Sequence, residues 1–366
     1  MPRLTLVIPD LYPARQSLDA QAGLPRLPSL ERWLARGQSQ GHPPHQDQDW
    51  RHWLLARHAP AWQGAGLAAV AARAHAPPRT GPQPDGPQPD GPQQDGPQRA
   101  WWLATPVHFV AGLDTLRLHP SGLLLLSPPE QEALAADFAR VFAGSGWALV
   151  PSGRRELLLL GPSAGAQTCD PARWLGADPT GGLPTGPAAT PLKRLGAELE
   201  MWLHEHPVNQ ARAARGRLVA TALWLWGAGA GDGHTAGERA GTVRATPVPG
   251  GRSLVLHGAD AFLDGLAAVT GVARPGEAAT RAAAGQAAAG GDMVAVLGSG
   301  EPLSSTLLQQ WEQDWFAPAL QQWQAGQWQA LTLACGAQAW LARRGPLAAL
   351  RGWRRTAPWW EWLLAC

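Results

Sequence analysis

The residues best placed to do chemistry lie in one short segment, which reads HEHPVNQAR at positions 204–212. His204 and His206 are two positions apart, so on a helix they point in different directions and make a poor metal pair. Asn209 and Arg212 share a helix face, where they either grip an anion or join a structural network between helix and sheet. His206 precedes Pro207, so it either binds a ligand or caps a helix end and bonds a carbonyl.

Three further residues are candidates because they stand near the ends of apolar segments. Asp10 follows the run at 4–8 and is either a metal ligand or a turn or cap residue. His108 and Asp114, in TPVHFVAGLD, form either a ligand pair or a satisfied polar pair. We therefore predict ligand contacts, and no catalytic residue and no metal ligand set, at a group of six residues: Asp10, His108, Asp114, His206, Asn209 and Arg212.

Strands and helices can be assigned to most of the chain from hydrophobic periodicity and capping residues. The segment 27–37 reads as a helix with Ser29 as its N-cap and Gly37 as its stop. Residues 50–75 are helical in composition, and 192–206 form an amphipathic helix ended by Pro207. Strands alternate with helices from residue 217 onward, which predicts a mostly parallel sheet covered by helices on both faces.

The length of 366 residues suggests two domains, or one large α/β domain that carries an insertion. A tandem repeat at 81–98, GPQPD GPQPD GPQQD GPQ, has no apolar residue and is predicted to be a dispensable, solvated loop expansion. The predicted organisation has five parts: a first part of the core at 1–75, a repeat linker at 76–100, an inserted α+β subdomain at 101–165, a loop linker at 166–191 and a second part of the core at 192–366.

Composition excludes several classes of protein. The net charge of +2 is too small to argue for nucleic acid or an anionic membrane surface as a partner. The three cysteines contain no CxxC pair, so neither a zinc knuckle nor a disulfide framework is predicted. No apolar stretch is long enough to span a membrane, and the N-terminal apolar run is too short for a signal peptide. These features favour a cytoplasmic protein.

The segment that continues to residue 231 also carries a family resemblance. The segment is similar to a signature of the archaeal-type cofactor-independent phosphoglycerate mutases. The matching residues are His206 to Asn209, Arg212, Gly216 and the strand Trp224 to Gly227. The chain resembles still more closely the RpfE-type regulatory proteins of proteobacteria, which share the HPVN helix, the LWLWG strand and a segment like WWLATPVHF.

Weaker matches follow in the same order along the chain. Asp10 stands where the mutases have a metal-binding Asp, Arg155 stands in a Tyr-Arg position before a strand, and Asp260 and Gly265 match a helix start. The mutases belong to the alkaline phosphatase superfamily. The resemblance therefore implies an alkaline-phosphatase-like α/β fold, with a mostly parallel sheet and a smaller inserted α+β domain.

The chemistry of that superfamily needs two divalent metals held by Asp and His, and a Ser or Thr that accepts the phosphoryl group. Here the last histidine is His257, and no serine occurs between Ser39 and Ser121. The resemblance thus implies a mutase-like protein without metals or cofactors. We expect a non-catalytic regulatory or binding protein whose partner is an unidentified small anion or a protein. The alternative is an active mutase or phosphatase with an altered site.

Overall fold

The apolar run at the start of the chain forms the centre of a six-stranded sheet in the computed structural model. Its strands are, in spatial order, β2 (Gln38–Gly41), β11 (Gln338–Arg343), β10 (Ala330–Cys335), β1 (Arg3–Val7), β9 (Asp292–Val296) and β8 (Leu254–His257). The pairs β10–β1, β1–β9 and β9–β8 are parallel, while β11 runs antiparallel to both its neighbours. The sheet is therefore mostly parallel, as the sequence predicts.

The structure describes residues 2–9, 24–41, 50–76, 99–112, 115–162, 165–187, 189–230, 253–272, 274, 291–298, 303–335, 338–343 and 356–364. Asp10, Asp114 and the repeat at 81–98 lie outside these ranges. No helix in the described ranges combines the length and apolar character that a membrane span requires.

Helices flank this sheet. They are α1 (Pro28–Arg36), α2 (Trp50–His58), α7 (Ala261–Thr270), α8 (Ser305–Trp311), a π-helical turn (Glu312–Phe316), α9 (Ala317–Gln324) and α10 (Trp359–Leu364). Leu4 and Leu6 of β1 pack on one face with tryptophans of α1, α8 and α10. Thr5 and Val7 point to the opposite face and are also buried, so both faces are covered.

The start of α1 corrects one prediction. Ser29 is not its N-cap, because Pro28 occupies the first helical position and Leu27 stands at the cap without a side-chain bond. The carboxylate of Glu312, from the π-helical turn, instead accepts the Ser29 amide at 2.7 Å. Gly37 ends the helix as predicted.

A second sheet is built from the middle of the chain. Its strands are β3 (Arg99–Ala111), β4 (Leu116–Leu123), β5 (Ala148–Val150), β6 (Leu157–Pro162) and β7 (Ala222–Ala230), all paired antiparallel. The order is β4-β3-β6-β5, and β7 pairs with β3. Four helices accompany it: α3 (Leu67–His75), α4 (Pro128–Val141), α5 (Ala189–Glu205) and α6 (Pro207–Ala214). Short 3₁₀ turns occupy Pro60–Trp62, Pro171–Trp174 and Pro179–Gly182.

The predicted class, α/β with a mostly parallel sheet and an additional α+β unit, is confirmed, but one strand was assigned to the wrong sheet. The chain divides into one unit of Met1–Pro60 with Arg244–Cys366 and another of Ala61–Val243. The strand in LVATALWLWG was placed in the second part of the core, and it lies in the antiparallel sheet of the middle unit. A strand buried on both faces is apolar throughout whichever way its neighbours run, so its composition cannot reveal its sheet.

The predicted helical stretch 50–75 is two helices, separated at Ala59–Gly66. Gly66 has a φ of +80°, and a Cβ there would lie 2.0 Å from the Ala228 carbonyl oxygen. A Cβ on Gly229 would lie 2.2 Å from the Ala65 carbonyl oxygen. The glycines of the GAGAG segment thus let the start of α3 approach β7 closely.

Candidate functional site

The HPVN motif begins helix α6, and His206 is its N-cap. The His206 Nδ1 accepts the Val208 amide at 3.1 Å, so in the neutral ring the proton is on Nε2. Nε2 lies 3.7 Å from Oδ2 of Asp137, and the ring packs against the edge of Trp202. The side chain is buried, and this burial lowers the pKa of His206, with Asp137 opposing the effect.

Asn209 occupies the next turn of the same helix, and its amide is fully used by the main chain. Its Nδ2 donates to the carbonyls of Leu203 at 2.7 Å and Ala220 at 2.8 Å. Its Oδ1 accepts the Ala220 amide at 2.8 Å. The side chain therefore substitutes for a neighbouring strand at Ala220 and ties it to the end of α5.

Arg212 extends the same arrangement to the first turn of α4. Its Nε donates to the Leu218 carbonyl at 2.8 Å, and its Nη1 lies 3.1 and 3.2 Å from the two carboxylate oxygens of Glu130. Glu130 also forms a capping box with Ser127. Burial works against the Glu130 charge, but the bonds from Ser127 and Arg212 together hold its pKa below the usual range.

His108 reaches the same stretch of chain from β3. Its Nδ1 lies 2.8 Å from the Val219 carbonyl, which can only accept, so Nδ1 carries the proton. Thr221 donates its hydroxyl to the Val107 carbonyl and accepts the Phe109 amide. Every residue of the segment 218–221 is therefore held by a side chain or through its own hydroxyl.

Three of the four candidates that the structure describes, His108, Asn209 and Arg212, thus converge on one segment of main chain, 218–221, just before β7. The fourth, His206, bonds the start of its own helix instead. His119, the histidine next to His108, does not join it in a metal site. The His119 ring lies 5.8 Å from His108, but its Nδ1 accepts the Ser121 amide, which leaves the proton on Nε2. A ligand role for His108, His206, Asn209 and Arg212 stays a prediction, as it does for Asp10 and Asp114, which lie outside the described residues.

The described residues that follow the parallel strands do not by themselves form a donor set for two metals. β9 continues into Leu297 and Gly298, and β10 ends at Cys335, whose thiol pKa is raised by complete burial. Asp260, after β8, already accepts the Phe262 amide and pairs with Arg51 at 2.7 Å. Within the described ranges, no three His, Cys, Asp or Glu side chains are grouped to hold a metal.

Arg155 is a residue that the candidate set missed, although it appears in the family resemblance. It stands between β5 and β6 with only 6% of its surface exposed. Among the described residues, neither its Nε nor its Nη2 has a hydrogen-bond partner. The local signal in the sequence is a run of three charged residues, 154–156, just before the apolar strand LLLL.

The loop that carries Arg155 is fixed by Gln131 of α4, which is fully buried. Gln131 Oε1 accepts the amides of Ser152 and Gly153 at 3.2 and 3.0 Å, and its Nε2 donates to the Leu126 and Arg154 carbonyls. Gln131 follows Glu130, the partner of Arg212. The first turn of α4 thus positions both the loop before Arg155 and helix α6.

Comparisons with known proteins give only distant similarity. No protein-family model matches the chain, and no curated protein matches it. The PH0037 protein from Pyrococcus horikoshii is similar in structure, with a TM-score of 0.46 and 13% identity, over 94% of this chain and 88% of that one.

The cofactor-independent phosphoglycerate mutase from Thermoplasma acidophilum DSM 1728 is similar with a TM-score of 0.39 and 14% identity. That alignment covers 100% of this chain and 98% of the mutase. These similarities are too distant to transfer any site residue to this chain.

Proposed function

We propose that this protein is a phosphoglycerate-mutase-like protein of the RpfE regulatory type. In this proposal, the two-metal site and the serine nucleophile have been lost, and the protein binds a small anion without turning it over. It works in the cytoplasm as a binding or regulatory protein. Arg155 supplies the positive charge that recognises the anion.

The loss of chemistry is supported by the sequence and by the donor set at the strand ends. No histidine follows His257, so the late strands of the parallel sheet offer no imidazole to a metal. Asp260 is engaged by Arg51 and by the start of α7. A single remaining carboxylate at Asp10 does not hold two divalent ions.

The observation that carries anion binding is the Arg155 guanidinium, whose Nε and Nη2 have no hydrogen-bond partner in the described part of the chain. A buried cation without a counter-charge costs several kcal/mol, so such groups are normally paired or hydrogen-bonded. Glu156, next to it, is also buried, and Gln131 holds the preceding turn in place. An oxyanion bound by Nε and Nη2 would satisfy both donors in the fork geometry that arginine favours.

Thermal unfolding with and without inorganic phosphate tests this proposal. Phosphate at ten times its Kd should stabilise the protein by about 1.4 kcal/mol. The part of this shift that depends on Arg155 should vanish in Arg155→Met, which without phosphate should be as stable as the wild type or more so. Arg140→Met, which removes an exposed arginine, is the matched control and should keep the full shift.

The alternative, an active mutase or phosphatase, predicts a different result. Under our proposal, Mn²⁺ or Zn²⁺ at millimolar levels produces no turnover of phosphoglycerate and no rise in melting temperature. A rise that disappears in Asp10→Ala, together with phosphatase or mutase turnover, would show that a metal site has been rebuilt and would overturn the non-catalytic function.

A further inference from the structure

Sheet register places two arginines and one carboxylate together at the amino end of the parallel strands. Arg3 pairs with Ala330, and Ala330 pairs with Arg343 on the next strand. On the other side of β1, the pairing of Leu4 with Met293 puts Asp292 beside Arg3. The four residues therefore form one row across β9, β1, β10 and β11.

The side chains of this row lie on one face of the sheet. Their chain neighbours Leu4, Met293, Leu331 and Ala342 all belong to the apolar core on the other face. Because side chains alternate along a strand, Arg3, Asp292, Ala330 and Arg343 share the opposite face. Ala330, which is itself buried, contributes only a methyl group between the two arginines, whose Cα atoms are about 10 Å apart, two strand spacings.

Helix α2 adds the third arginine. Its first turn is held at the carboxyl end of β8 by the buried Arg51–Asp260 pair, and its last turn ends at His58. Arg57, in that last turn, lies within electrostatic reach of Arg3, Asp292 and Arg343. We call Arg3, Arg57 and Arg343 the arginine cluster.

The arginine cluster is accessible and carries more positive charge than its surroundings neutralise. Arg57 and Arg343 are exposed, and Arg3 is half-buried. Asp292 accepts the Arg3 amide at 3.0 Å, and no ion pair within 4.0 Å involves the three guanidiniums among the described residues. Partial desolvation lowers the pKa of Arg57. The charges of Arg3 and Arg343 lower that pKa further, and the charge of Asp292 opposes these effects.

We propose that the arginine cluster is a binding site for a compact polyphosphate anion. Three guanidinium groups at one end of the sheet can each form paired N–H···O bonds to phosphate oxygens. A diphosphate spans the separation between Arg3 and Arg343 better than a single phosphate does. The anion also relieves the mutual repulsion of three cations that share one carboxylate.

This site is independent of the proposed function. It lies in the unit formed by the two ends of the chain, whereas Arg155 belongs to the middle unit. Its residues come from the amino end of the parallel sheet, so it shares no residue with the carboxyl ends of those strands.

Calorimetric titration of the full-length protein with pyrophosphate is the test. Arg57→Gln and Arg343→Gln should each weaken binding by about tenfold, since each removes a charged fork. Asp292→Asn still accepts the Arg3 amide and should tighten binding by about three- to tenfold, because it removes the carboxylate that acts on the cluster. Arg194→Gln, which removes an exposed arginine paired with Glu198, is the matched control and should bind like the wild type.

Three further arms make the outcome decisive. Orthophosphate should bind more weakly than pyrophosphate, and raising KCl from 50 to 200 mM should weaken both. Arg155→Met should leave the pyrophosphate affinity of the cluster unchanged. The proposal is overturned if Arg57→Gln and Arg343→Gln bind pyrophosphate like the wild type, if Asp292→Asn binds it more weakly, or if only Arg155→Met abolishes binding.

Discussion

The segment 218–221 and the arginine cluster are both polar regions beside a sheet, yet they differ in what their polar atoms do. At 218–221, Asn209, Arg212 and His108 give their hydrogen bonds to carbonyls and amides of the same chain. In the arginine cluster, one carboxylate faces three guanidiniums. The first region is closed by its own main chain, and the second remains open to a ligand.

The difference shows that a conspicuous motif need not be the binding site. HPVN is contiguous because one short helix must present several groups to one nearby segment of chain. Arg3, Arg57 and Arg343 are scattered through the sequence, and only strand register and helix α2 bring them together.

The largest effect is expected at Asn209. Asn209→Ala removes three buried hydrogen bonds. It leaves the Ala220 amide and carbonyl without partners, and the Leu203 carbonyl keeps only the His206 amide. Unpaired buried groups each cost 1–3 kcal/mol, so the free energy of unfolding should fall by about 3–5 kcal/mol. Urea unfolding measures it. The control is Gln210→Ala, at an exposed side chain on the same helix, which should cost under about 1 kcal/mol. Similar costs for both variants would contradict a closed network.

A pH titration of stability is the next largest test, because His58 and His206 are both buried. Burial, with a smaller contribution from Arg57, lowers the pKa of His58 to about 4, and burial also lowers that of His206. As the pH falls, both imidazoles are protonated at a higher pH in the unfolded chain than in the folded one. Stability should therefore fall as the pH drops from 6.5 to 4, by up to about 3 kcal/mol from His58.

Urea unfolding at a series of pH values measures this loss, and His58→Gln should flatten the slope between pH 6.5 and 4. The arginine cluster stays charged throughout that range, so Arg343→Gln should leave the slope as it is. An unchanged slope in His58→Gln would contradict the assignment of this pH dependence to its burial.

Arg212→Met should produce a smaller loss. It removes the bonds to Leu218 and Glu130, but Glu130 keeps its bonds from Ser127, so the cost should be about 2 kcal/mol. Glu130→Gln in the Arg212→Met background should recover part of the lost stability, because no carboxylate is then left without its arginine partner. A double-mutant cycle checks this coupling. Additive effects of the two changes would show that Arg212 and Glu130 do not act as a pair.

The smallest effect on stability is expected in the open region. Arg57→Gln removes a cation that two other arginines repel, so the free energy of unfolding should change by under about 0.5 kcal/mol or rise at low salt. Added KCl should shrink the difference from the wild type. A loss of 2 kcal/mol or more would mean that Arg57 is a structural residue and that the cluster is closed.

Much of the fold could be predicted because it depends on local patterns. Pro207 after a cap-forming residue indicates a helix start, and Gly37 indicates a stop; both are found in the structure. The Ser29 cap could not be predicted correctly, because Glu312, far away in the chain, supplies the carboxylate. The sheet predicted for β7 is wrong for a related reason. Its pairing with β3 depends on packing against distant parts of the chain on both faces.

The sequence by itself determined the α/β class, most strands and helices, and the absence of late histidines. These are properties of composition and of short periodic patterns, which need no distant partner. Tertiary structure alone decided that β7 joins the antiparallel sheet, that Asn209 and Arg212 face the main chain at 218–221, and that Arg3, Arg57 and Arg343 meet at one end of the parallel sheet. The physical reason is that hydrogen-bond satisfaction and charge balance depend on which groups come within a few ångströms, and distance along the chain does not fix that.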